Sequence, residues 1–329
     1  HRALIFHGDS KKQITQEGLE AAKIVISTYG AVTLSKSQKK LTPLHKVVWS
    51  RIIFDEAHHL RNAGTSLYFG AKLLRASIRW LVSGTPIQNR KQDFYNLCNM
   101  LRLPASYYTD YDNLMELTRA FIMKRTKKQV GIILPDVVSD KNMVTWANDR
   151  EKELSEELHS VLEFARVSGK GKGLPYGGTL AAILKARQAC ILPRLLSNKR
   201  GYDEYKEAFQ CSSKLDNATS KILERKGNGC GKLIFCHFRE EIDEIATRLR
   251  AGGMTSVATF DGRTSNRAEI LAEGHEALVL QIQTGCEGLN LQEHYSEIYF
   301  ISPHWNPAIE DQAVARCHRI GQTKVVYVE

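Results

Sequence analysis

Short β-branched and apolar runs alternate with amphipathic stretches along most of the 329 residues, which predicts strands and helices in turn. In the first part, residues 3–6, 24–27, 47–54 and 80–82 read as strands. In the last part, residues 232–236, 256–260, 277–282, 297–301 and 325–328 repeat the pattern, with helices over 240–250 and 309–318. Runs that are apolar on both faces predict parallel sheets covered by helices. The middle differs: 92–103, 150–167 and 179–189 have helical periodicity, and the Gly-rich, lysine-containing stretch 168–178 reads as a loop. The expected class is α/β, with two α/β domains meeting near 127–140 and helical insertions on either side.

Composition narrows this little; charge narrows it more. With 43% hydrophobic and 25% charged residues the chain is globular rather than disordered. No apolar run reaches the roughly 18–20 residues of a membrane helix, so no membrane partner is expected. The net charge of +10 is unevenly placed: residues 1–140 hold 21 Lys+Arg against 11 Asp+Glu, whereas 141–329 hold 25 of each. Such an imbalance favours a polyanionic partner, nucleic acid or an acidic surface. The seven cysteines form no C-x-x-C pair and are odd in number, which argues against a zinc ribbon, a RING finger or a disulfide framework. Cys236-His237 and Cys317-His318 are adjacent residues whose side chains diverge on regular structure, so no zinc site is expected.

Three motifs carry chemistry. Arg51-Ile-Ile-Phe-Asp-Glu-Ala-His58 is a hydrophobic strand ending in two carboxylates, at the sheet edge where ligands bind in α/β proteins. There Asp55 would hold Mg²⁺ through water and Glu56 would orient and deprotonate an attacking water. Leu81-Val-Ser-Gly-Thr-Pro-Ile-Gln-Asn89 follows another strand, and Ser83 and Thr85 would hydrogen-bond toward the Asp55/Glu56 loop and sense nucleotide. Asp311–Gln322 places Gln312, Arg316 and Arg319 at i, i+4 and i+7, one face of a helix. Two arginines in register suit a nucleotide's phosphate tail, as arginine fingers do. Taken singly, each also suits a solvated turn or a basic helix face.

Together, and in this order, Asp55-Glu-Ala-His58, Ser83-Gly-Thr-Pro-Ile-Gln-Asn89, His304-Trp-Asn-Pro307 and Gln312…Arg316…Arg319-Ile-Gly-Gln322 resemble the superfamily 2 helicase-like motors of the Swi/Snf family. The likeness extends over Phe6-His-Gly8, residues 24–29, Leu60-Arg-Asn62, Arg125-Thr-Lys-Lys128, Leu134-Pro135, Arg187-Gln-Ala-Cys190 with Pro193, residues 233–235, Asp261-Gly262 with Arg267, and residues 285–291. The neighbourhood of Arg61 and Asn62 is most similar to the repair and transcription-release translocases, some of which carry a RING finger that this chain lacks.

The resemblance implies two RecA-like lobes with helical protrusions, hydrolysing ATP with Mg²⁺ between them and stepping along double-stranded DNA without separating the strands. It implies a partial first lobe over 1–126 with a protrusion at about 90–123, an interlobe junction at 127–140, a helical insertion over 141–215 and a second lobe over 216–329. Thr28, Arg61, Asn62 and Asn89 would approach the DNA backbone from the first lobe, and Gly262, Arg267 and Trp305 from the second. Gly288, Gln312, Arg316 and Arg319 would contact ATP. Nucleosomes or other DNA-bound protein complexes are the larger partners it implies, in a nucleus if the source is eukaryotic, with a viral or bacterial cytoplasmic origin as the alternative.

The main departure is the P-loop, G-x-x-x-x-G-K-[S/T]. Nothing in residues 1–54 fits, and Gly227-Asn-Gly-Cys-Gly-Lys232 is followed by Leu233 and a strand. The chain is expected to begin downstream of the phosphate-binding segment and to be inactive as an ATPase by itself. Cys286 stands where relatives usually have a second glycine, and His237 where many have glutamine. Two rival readings stay open: a non-catalytic DNA- or chromatin-binding module derived from such a motor, and an RNA helicase of the same superfamily.

Overall fold

The described residues of the computed structural model are 3–35, 41–87, 90–167, 176–199, 201–285 and 288–329. They form two compact units, His1–Thr126 and Lys127–Glu329.

Among the described residues, the first unit holds two separate pairs of parallel strands. β1 (Leu4–Phe6) pairs with β2 (Val25–Ser27), and β3 (Val48–Phe54) with β4 (Arg75–Leu81). β4 begins earlier than hydrophobicity predicts because Arg79 interrupts the apolar run. Its guanidinium donates to the carbonyls of Met100 at 3.2 Å and Lys72 at 3.3 Å, so an arginine serves inside a strand. The crossover helix α1 (Ser66–Leu73) starts at Thr65, whose hydroxyl accepts from Tyr68 N at 3.1 Å. Phe6, Leu19, Phe54, Leu60, Tyr68 and Ala71 join Leu97 and Met100 of α2 (Lys91–Met100) in one core. Cys98, Tyr108 and Leu117 of α3 (Tyr111–Phe121) form a smaller one.

Helices were expected to cover both sheet faces. Instead the paired rungs Ile5/Ile26 and Ile53/Trp80 are about half exposed, at 61%, 54%, 55% and 49%. The Arg51 guanidinium lies 4.5 Å from the Trp80 ring centroid.

The second unit is built on one six-stranded parallel sheet. β5 (Val137–Ser139), from the segment expected as a junction, forms one edge; helices α4 (Asp149–Val167), α5 (Tyr176–Ile191) and α6 (Ser213–Glu224) follow. Then come β6 (Gly231–Cys236), α7 (Arg239–Ala251), β7 (Val257–Phe260), α8 (Arg267–Glu273), β8 (Ala277–Gln281), β9 (Tyr295–Phe300), α9 (Pro307–Val314) and β10 (Val326–Val328). The spatial order is β5-β10-β9-β6-β8-β7. Alternation divides the sheet's side chains between two buried faces. Ile234, Cys236, Val279 and Tyr299 meet Leu215 and Ile222 of α6 and Ile242, Ile245 and Leu249 of α7. Leu233, Phe235, Leu278, Leu280 and Ile298 meet Ala313 and Cys317.

The helical layer is tied to this core by a buried carboxylate. Glu151 of α4 accepts from Ser213 N at 3.0 and 3.1 Å and from Ser213 Oγ at 2.6 Å, at the start of α6. The helix expected over 309–318 ends at Val314. Beyond it the amides of Arg316 and Cys317 bond three residues back, at 3.1 and 3.0 Å. Cys317 Sγ and the Gln322 amide then turn inward onto Tyr295 O, at 2.7 and 2.9 Å. Gln312, Arg316 and Arg319 therefore do not share one regular helix face. Ala315, the residue that caps the end of this helix, is exposed.

Candidate functional site

In the first unit the chemistry gathers at the carboxyl ends of the parallel strands. Asp55 is exposed, and its Oδ1 accepts from Glu56 N at 3.0 Å. Glu56 adopts a left-handed backbone, φ 46° and ψ 49°, a conformation that costs a non-glycine residue about 1–2 kcal/mol. Two bonds hold the turn there: Ala57 N to Val82 O at 2.8 Å and His59 N to Glu56 O at 3.1 Å.

The buried His58 links the motifs. Its Nδ1 lies 3.3 Å from Glu56 Oε2 and 3.4 Å from Ser83 Oγ. Ser83 therefore reaches the histidine of this loop, not the carboxylates directly, and Ser83 Oγ accepts from Thr85 N at 3.2 Å. Tyr29 adds a wall that sequence inspection did not find. Its hydroxyl donates to Asp55 O at 2.7 Å, its ring stacks on Phe54, and its edge meets His59 at 5.8 Å. Burial, then the negative charges of Asp55 and Glu56, raise the Tyr29 phenol above its ordinary range, so it stays a donor. Thr28 precedes it at the end of β2, exposed. The Asn62 Oδ1 accepts from Gly64 N at 2.9 Å, and Arg61 O accepts from the Asn96 amide. Asn89 lies outside the described residues.

Carboxylates so placed fit Mg²⁺, which commonly takes one or two protein oxygens beside phosphates and waters. Asp55 is the exposed candidate. No group of three or more metal-ligating side chains occurs among the described residues.

In the second unit, Arg319 donates to Leu289 O at 3.5 Å and to the Asn290 side chain, beside Gly288 with φ 71°. Lys127 donates to His318 O at 2.6 Å, and burial, then the Arg319 charge, lowers its pKa. Two cations thus stand close together, an arrangement that a polyanion relieves. Arg316 and Gln312 are half-buried on the same segment, and Arg316 O accepts from Leu291 N at 3.1 Å.

Gly262 is exposed, and a Cβ there would sit 3.6 Å from Arg239 Nη2, ordinary contact. Arg267 donates to Thr264 O and Asp261 O, both at 3.1 Å, so it shapes the turn that Gly262 occupies. Trp305 is 58% exposed, with the Arg187 guanidinium 5.0 Å from its ring centroid. Arg187, Lys127, Tyr29 and His58 carried no assigned role in the sequence, although each lies in a stretch that the family resemblance covers.

The SNF2-related domain matches residues 2–163 and the helicase conserved C-terminal domain residues 214–321, in that order. The chain belongs to the Swi/Snf family of helicase-like ATPases. A "Probable global transactivator" of Orgyia pseudotsugata multicapsid polyhedrosis virus is 27% identical, over 98% of this chain and 69% of its own length. "DNA repair protein RAD5A" of Arabidopsis thaliana is 23% identical, over 94% of this chain and 44% of its own. The chain thus spans about two thirds of one Swi/Snf relative and less than half of the other. Among solved structures, the "Sulfolobus solfataricus SWI2/SNF2 ATPase core in complex with dsDNA" is 24% identical, with 99% of this chain and 70% of that one covered at a TM-score of 0.45. The Swi/Snf family is one of DNA-dependent ATPases and remodelling motors that use ATP.

Proposed function

We propose that this chain belongs to the motor of an ATP-dependent double-stranded DNA translocase that remodels chromatin or other protein–DNA complexes. The observation that carries this reading is the carboxylate pair at the end of β3, with Glu56 held in a left-handed turn and joined through His58 to Ser83, which follows β4. A residue kept in so costly a conformation is a mark of function.

In this reading Glu56 orients and deprotonates the attacking water. Asp55 holds Mg²⁺ through its water shell; when bound, Mg²⁺ neutralises charge on the phosphates. Ser83 and Thr85 register the state of the nucleotide through His58. Gly288, Gln312, Arg316 and Arg319 act on the same nucleotide, the arginines placing positive charge where the transition state develops negative charge. Thr28, Arg61, Asn62, Asn89, Gly262, Arg267 and Trp305 track the DNA backbone, a readout that needs no base sequence. The basic first part of the chain suits that partner.

The 329 residues contain no P-loop, and they are expected to turn over no ATP alone. The second reading is a non-catalytic DNA-binding module derived from such a motor. ATP turnover by the native gene product, measured with duplex DNA, single-stranded DNA and RNA and with Glu56→Gln as control, separates the two. Duplex-stimulated turnover abolished by Glu56→Gln supports the motor; preference for RNA, or indifference to Glu56, rejects it.

A further inference from the structure

The segment carrying Trp305 is held from below by side chains at successive positions. Lys214 Nζ of α6 donates to Ser302 Oγ at 3.1 Å. Arg187 of α5 donates through Nη2 to Pro303 O, and the same nitrogen lies against His237 Nε2 at the end of β6. That Nε2 is also 3.1 Å from Ser302 O, and one nitrogen serves only one of these two contacts at a time. The His237 ring stacks on His304 at 5.8 Å, and His304 N donates to Glu310 Oε1 of α9 at 2.7 Å.

Above this base the Arg187 guanidinium faces the Trp305 ring at 5.0 Å, while the indole remains 58% exposed. Burial lowers the Arg187 pKa, with Glu241 and Glu310 acting in the opposite sense. Its Nη2 is directed at Pro303 O and His237, within the protein.

We infer that Arg187 is a positioning residue for Trp305: it fixes the indole in one orientation so that the exposed ring meets the sugar–phosphate backbone of duplex DNA preformed. This rests on the reading of Trp305 as a DNA contact. The physical basis is twofold. A guanidinium over an indole face is the strongest of the cation–π pairs available to an arginine. A side chain already held in its bound rotamer loses less entropy on association. The hydrogen bond to Pro303 O, two residues before the tryptophan, fixes the backbone that carries the ring. Arg187 lies on a helix of the insertion, so that insertion helps to shape the DNA-facing surface.

The test is a comparison of duplex affinity by fluorescence anisotropy, over a series of salt concentrations. It uses the 329-residue chain, Arg187→Lys, Arg187→Gln, Trp305→Ala and the Arg187→Lys/Trp305→Ala double variant, with circular-dichroism melts to verify folding. Arg187→Lys keeps the charge and loses the planar stack, so affinity is expected to fall about three- to tenfold. In the Trp305→Ala background the same change is expected to do nothing further. Arg187→Gln is expected to leave the slope of log affinity against log salt unchanged, whereas loss of a direct phosphate contact lowers it by about 0.9.

Additive losses, full affinity in Arg187→Lys, or a reduced slope in Arg187→Gln overturns the inference while leaving Trp305 at the DNA. Unchanged affinity in Trp305→Ala removes the parent reading, and the inference with it.

Discussion

Glu297 is 1% exposed and gathers four partners at the start of β9: Arg225 and Asn228 at Oε1, Lys232 and Tyr299 at Oε2. Burial alone would raise its pKa, but hydrogen bonds from Arg225 and Asn228 and the Lys232 charge bring it below the ordinary carboxylate value. Glu297→Gln removes the charge and strands Lys232, fully buried with Nζ 3.4 Å from Glu297 Oε2. At that distance and an effective dielectric of about 20 the lost attraction is roughly 5 kcal/mol. Lys232 keeps bonds to Asn228 Oδ1 at 3.1 Å and Cys230 O at 2.9 Å, which brings the expected loss to about 3 kcal/mol. For a unit of about 200 residues this lowers the melting temperature by roughly 6–12 °C.

Differential scanning calorimetry near pH 7 measures it. Lys232→Met in the Glu297→Gln background should recover part of the loss by removing the stranded ammonium, whereas Arg225 reaches solvent and needs no rescue. A fall of under about 2 °C, or a further loss in the double variant, refutes the reasoning.

Other predictions concern each unit in turn. Burial raises the Glu241 carboxyl from 4.5 to about 7, against bonds from Phe238 N and His237 N that lower it. The folded state therefore holds a proton that the unfolded state has lost, and this group makes stability fall as pH rises from about 4.5 to 7. The advantage of Glu241→Gln over wild type, read as urea midpoints, should grow over that window and level above it. A Cβ at Gly70 would fall 1.9 Å from Val32 O, so Gly70→Ala should destabilise the first unit by at least about 2 kcal/mol, seen as loss of its thermal transition. Arg316→Ala and Arg319→Ala should each reduce duplex-stimulated ATP turnover of the native gene product by about a thousandfold or more while leaving duplex affinity within a factor of two, as steady-state kinetics and anisotropy will show.

The strands of the second unit were legible because uninterrupted apolar runs such as Leu233–Cys236 are buried on both faces. The placement of Asp55 and Glu56 was legible too, since the apolar run before them forms a strand that ends at Phe54. Long-range partners were not. Periodicity places Arg79 outside a strand because it cannot show three carbonyls waiting for the guanidinium. It continues the helix past Val314 because the inward pull of Cys317 and Gln322 on Tyr295 O depends on a strand some twenty residues earlier. His58 as the link from Glu56 to Ser83, and Arg187 beneath Trp305, likewise join residues 25 to 118 positions apart, beyond the reach of any local pattern.

The most direct measurement of the central claim is displacement of a third strand from a triplex by the native gene product moving along the flanking duplex. The account predicts ATP-dependent release of the third strand, abolished by Glu56→Gln, with the two duplex strands still paired. No release despite duplex-stimulated ATP turnover, or release accompanied by separation of the duplex strands, would contradict it.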